Sequence, residues 1–196
     1  MSRPGLRVSA ALCLLCLATS AGIAADKEPR ARIADLNAGL EEGLVRVSYR
    51  LADVLTPEAE ERIQSGIPVT FRHRIDLSSR RWMPLVPDRV VSRTVVETRV
   101  AYDSLTRRYA LTQTIEQKAR SKAQLPVTEE HRRWTDSIEE MRAWLNEPGS
   151  VPLHPPPEGE PPGRFRVRVQ TVIGRDYVLW VFPSTVSVSA STALEP

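Results

Sequence analysis

Alternation of apolar and polar residues with a period of two dominates this chain. The clearest instance is the run from Ile67 to Leu77, where Ile67, Val69, Phe71, His73, Ile75 and Leu77 alternate with Pro68, Thr70, Arg72, Arg74 and Asp76. A strand turns successive side chains to opposite faces, so this register predicts a strand with one buried face. Residues 44–51 (LVRVSYRL) repeat the pattern with Val45, Val47, Tyr49 and Leu51 inward, and residues 30–36 (RARIADL) predict a strand before them. Residues 89–102 and 107–117 predict two long strands. The segment from Tyr102 to Tyr109 joins them as a hairpin with a loop of about four residues. Residues 164–171 and 176–182 read as strands, and 184–193 (STVSVSASTA) as an edge strand or a disordered end.

Two stretches change period. Thr56-Pro57 is a helix start, a hydroxyl cap followed by proline at the first helical position. Glu58, Glu60 and Glu61 then occupy the turns that the helix dipole makes favourable for negative charge, and Gly66 ends the element. Residues 128–146 show helical spacing, with Trp134, Ile138, Met141 and Leu145 on one stripe and Thr128 or Thr135 as cap. Residues 148–162 hold seven of the 16 prolines and predict a loop or spacer of polyproline character.

About seven short-linked antiparallel strands and two short helices predict a mainly β protein, an antiparallel β-sandwich. The alternative is an α+β open antiparallel sheet with both helices on one side.

The first residues bear on compartment. Arg3 and Arg7 precede an eleven-residue apolar run, Val8 to Ala18, and small residues follow. This is the layout of a secretory signal peptide spanning residues 1–24, too short to cross a bilayer, which needs about 20 apolar residues. Residues 25–196 are then expected as a single β-rich domain, periplasmic or secreted, without a transmembrane segment. Both cysteines, Cys13 and Cys16, fall in the leader, so the exported chain has no thiol. It keeps 25 basic and 24 acidic residues, which weakens any inference from the whole chain's pI of 9.1. With the compartment, this balance argues against nucleic acid as partner.

No GxSxG, GxxxxGK[ST], HExxH or CxxC signature occurs, and no catalytic residue, cofactor or metal ligand is assigned. His73 sits on an apolar face and reads as a hydrogen-bonded core residue. His131, beside Arg132 and Arg133 at the expected helix start, and His154, in the proline loop, have no second histidine at short spacing. Glu129-Glu130 and Glu139-Glu140 read as solvated helix faces. Asp103-Ser104 in the hairpin has the composition of a turn.

The remaining candidates are binding residues. Arg46, Arg50, Arg72, Arg74, Arg164, Arg166 and Arg168 recur on strand faces, and neighbouring strands would gather them into a stripe able to grip carboxylates or phosphates. Arg81-Trp82, just beyond the best strand, is an interface-like pair.

The segments TPEAEERIQSGIPVTFRHRIDL, RRW and YDSLTRRY resemble the exported, mostly proteobacterial family known as domain of unknown function 4390. The matching positions are Gly66, Ile67, Pro68 and Phe71, then Arg81 and Trp82, then Tyr102, Leu105, Thr106 and Tyr109, within a likeness over roughly residues 31–145. The resemblance implies no activity, cofactor or catalytic residue, and it associates the chain with membrane sensor kinases of the envelope. Three functions are expected in order. The first is a non-enzymatic domain engaging an envelope protein through Arg81, Trp82 and the Tyr102–Tyr109 hairpin. The second is a binder of anionic envelope polymer or lipid headgroups through Arg72, Arg74 and Arg166. The third is a cell-wall hydrolase.

Overall fold

The computed structural model describes residues 31–81, 87–118, 126–178 and 182–195. The expected leader at residues 1–24 and Trp82 lie outside the described residues.

The alternating segments form strands, and the strands form two antiparallel sheets. The smaller sheet has the order β1-β2-β7, from Arg32–Glu41, Leu44–Ala52 and Val151–Leu153. The larger comprises β3 (Val69–Ser79), β4 (Arg89–Asp103), β5 (Arg108–Gln117), β6 (Val127–Thr135), β8 (Phe165–Val178) and β9 (Phe182–Ala193), in the order β6-β5-β4-β3-β8-β9. Two short helices, α1 (Pro57–Gln64) and α2 (Ile138–Asn146), complete the elements with a 3-10 turn at Pro162–Arg164. The sandwich expectation holds.

The core lies between the sheets. Val45, Val47, Tyr49 and Leu51 of β2 face Phe71, Ile75 and Leu77 of β3, Val96 and Val100 of β4, and Val167 and Val169 of β8. Polar staples tie the layers together: Gln113 Nε2 donates to the Pro148 carbonyl at 2.8 Å, and Thr94 Oγ1 to the Pro152 carbonyl at 3.0 Å. At one margin the sheets meet, where Glu195 N donates to the Ala38 carbonyl at 3.0 Å and Leu194 is buried.

Thr56 caps α1, its hydroxyl accepting from Ala59 N, and Pro57 opens the helix. Gly66, at φ 82°, closes it: Gly66 N donates to the Ile63 carbonyl and Ile67 N to the Arg62 carbonyl. This paired closure requires a left-handed residue, which glycine supplies without strain. It also corrects the expected strand from Ile67. Ile67 is spent on the helix end and is 48% exposed, so pairing begins at Val69.

Three further expectations are corrected. Residues 128–146 are not one helix: 127–135 form β6, which pairs with β5 throughout, and α2 begins at Ile138, capped by Ser137 rather than Thr128 or Thr135. Trp134 belongs to the strand and is 55% exposed. His131, Arg132 and Arg133 likewise lie in a strand and not at a helix start. The segment is polar on both faces because β6 is an edge strand uncovered by the smaller sheet, so it carries no period-two signal. The proline-rich segment contains a strand, β7, which pairs with β2 at the sheet margin where the missing N–H of Pro152 is tolerated. Residues 176–182 are not a separate strand, since 176–178 end β8 and Phe182 opens β9. The segment 184–193 is edge strand.

Candidate functional site

The outer face of the larger sheet gathers the arginines that the alternation left pointing away from the core. On β3 these are Arg72 and Arg74, with Asp76 in the same row. Across β4, Arg72 stands opposite Glu97, Thr70 opposite Arg99 and Asp76 opposite Arg93. Across β8, Arg74 stands opposite Gln170, Asp76 opposite Arg168 and Ser78 opposite Arg166. Laterally adjacent strands lie about 4.8 Å apart, so these side chains share one continuous surface.

Asp76 is the electrostatic centre of this face. Its carboxylate accepts from Arg74 Nε at 2.9 Å and from Arg93 Nε at 2.5 Å, with Arg93 Nη2 at 3.4 Å. One negative charge thus fixes two guanidinium groups and leaves a net positive charge, with Arg168 as its β8 neighbour. Among the described residues, Arg72, Arg99, Arg166 and Arg168 have no carboxylate within ion-pair distance. The face continues onto β9 as Ser187, Ser189 and Ser191, which are exposed and stand opposite Val172, Gln170 and Arg168. The surface is therefore rich in guanidinium, amide and hydroxyl donors, with the carboxylates of Asp76 and Glu97 among them.

The opposite face of the sandwich is charge-balanced. Arg46 meets Glu41 at 3.4 Å and Glu42 at 3.9 Å, and Arg50 Nε donates to Asp35 at 2.8 Å. A shallow depression of about 360 Å³ there is lined by Asp35, Ser48, Arg50, Glu147 and Ser150 among others. Arg164 leaves the stripe as well: it sits in the 3-10 turn, 3.8 Å from Glu160.

The structure regroups the sequence-derived candidates. Arg72, Arg74 and Arg166 come together as expected. Arg81 follows β3 beyond Ser79, next to the start of β8, where Arg80 N donates to the Arg164 carbonyl at 2.9 Å. The Tyr102–Tyr109 hairpin lies at the other end of the same sheet, since Val69 opens β3 opposite Val100. The intervening strand is about 30 Å long, so Arg81 and the hairpin do not form one patch. Arg93 and Arg99 complete the arginine face and were not singled out from the sequence. Their signal was the odd-numbered row Arg93, Val95, Glu97, Arg99, legible only once β4 is known to lie beside β3.

The two tyrosines form a cross-strand pair on the inner face, with ring centroids 5.0 Å apart. Tyr109 is buried, and burial is the main cause holding its hydroxyl above the usual tyrosine pKa. Over this end of the sheet, Arg142 of α2 makes a bidentate pair with Glu60 of α1 at 2.6 and 2.9 Å. Asp103 spans the hairpin loop, accepting from Leu105 N at 2.9 Å and from the Thr106 hydroxyl at 2.9 Å. The Thr106 hydroxyl is the main cause holding its carboxyl below the ordinary range. The turn reading of Asp103-Ser104 therefore holds.

His73 is fully buried and hydrogen-bonded to Thr171, as the core reading required. Among the described residues, no group of three or more histidine, cysteine or acidic side chains is arranged to hold a metal ion, and no helix is long and apolar enough to cross a membrane.

A family model described as Domain of unknown function (DUF4390) matches residues 28–177. The chain belongs to the DUF4390 family. The DUF4390 span extends past the likeness over 31–145 through the proline-rich segment into β8. It takes in the smaller sheet, the larger sheet apart from β9 and every arginine of the outer face. No curated protein and no solved structure matches the chain.

Proposed function

We propose that this DUF4390 protein is an exported binding domain. It engages an anionic envelope polymer or lipid headgroup surface through the outer face of its six-stranded sheet. The observation that carries this reading is the set Arg72, Arg99, Arg166 and Arg168, on one face and, among the described residues, with no carboxylate within ion-pair distance. Guanidinium groups grip carboxylates and phosphates through paired N–H donors, and an array of them suits a ligand that repeats its charge. The arginines are spread over β3, β4 and β8, so a ligand that engages them together is extended and lies across strands. The leader at residues 1–24 supports delivery to the periplasm or beyond, where such polymers occur.

Arg80 and Arg81 extend the cationic surface at the Ser79 end of β3. Arg81 and the Tyr102–Tyr109 hairpin lie at opposite ends of the sheet, which favours the arginine face over a single protein-binding patch that joins them.

Cosedimentation with vesicles containing anionic phospholipid, and retention on immobilised dextran sulfate, test the proposal. Binding falls with rising salt, because exposed charges are screened beyond about 8 Å at physiological ionic strength. Binding unchanged between low and high salt would refute it.

A further inference from the structure

The free edge of the larger sheet carries a charge pattern that reads the same in both directions once sign is exchanged. β6 contains Glu129, Glu130, His131, Arg132 and Arg133 in sequence, and β6 is the terminal strand of its sheet. Among the described residues nothing pairs with its outer edge. An unpaired edge presents a row of backbone donors and acceptors that another strand can complete.

We infer that two copies of this chain pair antiparallel through β6, with His131 on the two-fold axis, joining their six-stranded sheets into one continuous sheet. In this register Glu130 of each copy stands opposite Arg132 of the other, and Glu129 opposite Arg133. All four charged positions therefore meet an opposite charge. A two-fold axis normal to the sheet keeps side chains on their own face, so the axis must pass through a residue position. Moving it to the next residue is unfavourable either way. Centring on Glu130 sets two glutamates face to face, and centring on Arg132 sets two arginines face to face and His131 against Arg133. Like charges directly opposite destabilise an antiparallel pair, while opposite charges support it. Charge on an edge strand ordinarily deters pairing. Here the order of signs deters the neighbouring registers and leaves one open.

Two further observations fit a second copy as occupant. Trp134 and Val127, 55% and 51% exposed, lie near opposite ends of β6. In the proposed register Trp134 lies against Thr128 of the other copy, and Val127 against Thr135. The surface needed for approach is also clear: Glu129, His131 and Arg133 on one face and Glu130 and Arg132 on the other are all exposed. Arg132 already contacts Glu130 at 2.7 Å and Arg133 contacts Glu140 at 3.3 Å, so pairing extends existing ion pairs into networks across the axis. The arrangement would place both arginine faces on the same side of the joined sheet. The dimer does not depend on what that face binds.

Sedimentation velocity over a concentration series tests the inference with charge-swapped variants whose fold is checked by circular dichroism. The native protein shifts from monomer to dimer as concentration rises. Glu129→Arg/Glu130→Arg and Arg132→Glu/Arg133→Glu are each monomeric alone, because their strands carry one sign, and they form a dimer when mixed. The variant with all four substitutions keeps the inverted symmetry and dimerises like the native chain, which guards against misfolding of either pair variant. A native protein that stays monomeric throughout would overturn the inference. So would pair variants that dimerise alone, or a mixture that remains monomeric.

Discussion

His73 of β3 and Thr171 of β8 face each other across the sheet and share a 2.9 Å hydrogen bond inside the sandwich. Tyr49 of the smaller sheet lies over the same imidazole, with ring centroids 5.8 Å apart. Both His73 and Thr171 have no exposed surface, and burial pushes the imidazole pKa down from 6.5 to about 4.

This burial predicts acid lability. The folded state binds the proton less readily than the unfolded state, so His73 stabilises the fold fully above pH 6.5. That contribution is lost as pH falls from 6.5 toward 4. The loss approaches about 3 kcal/mol at the lower end and about 2 kcal/mol by roughly pH 5. Urea unfolding of the native protein and of His73→Gln at neutral pH and near pH 5 checks this. The variant is less stable at neutral pH but has the shallower pH dependence; parallel curves would remove His73 as the cause.

Gly66→Ala forces an alanine into a left-handed conformation at φ 82° and brings its Cβ within 3.4 Å of the Tyr102 carbonyl. The expected cost is about 1–2 kcal/mol. Denaturant titration measures it, and a variant as stable as the native chain would show that the helix closure is not as described.

Ile63 and Leu105 provide a contrast between two apolar side chains. Ile63 is the buried anchor of α1, with 0% exposure, whereas Leu105 at the hairpin tip is 93% exposed. Ile63→Ala is expected to cost about 2–5 kcal/mol and Leu105→Ala within about 0.5 kcal/mol. Thermal unfolding of the two variants separates them.

The β3 register was legible because its inner residues from Phe71 to Leu77 face a complete apolar layer. The α1 boundaries were legible because Thr56, Pro57 and Gly66 act through local backbone geometry. β6 was not, because both of its faces are wet and its identity comes from pairing with β5. Trp134, Ile138, Met141 and Leu145 then imitated one helical stripe across a strand and a helix. β7 was hidden for a different reason: Val151 and Leu153 are buried, but a strand of three residues set among prolines is too short to show alternation. Arg72, Arg74 and Arg166 were legible as outward residues. Which other arginines join them depends on strand order, and so Arg93 and Arg99 appeared only with the fold.

Asp76 sets the charge of the arginine face and also holds it in place. Asp76→Asn releases Arg74 and Arg93 from their shared carboxylate, which raises the positive charge of the face. Affinity for dextran sulfate should rise while stability falls by about 1–3 kcal/mol, the range for losing hydrogen bonds to a charged group. Unchanged affinity would mean that these arginines do not contribute to binding.

The most direct measurement is polyanion binding by two variants that remove equal charge from opposite sides of the sandwich. Arg72→Gln/Arg168→Gln removes two arginines of the outer face of the larger sheet that have no ion pair among the described residues, and Arg46→Gln/Arg50→Gln removes arginines already paired on the other side. The account predicts that the first variant loses most of its salt-sensitive binding to anionic vesicles or dextran sulfate while the second retains it. Equal losses in both would show that only overall charge matters and would contradict a binding site on the β3–β4–β8 face.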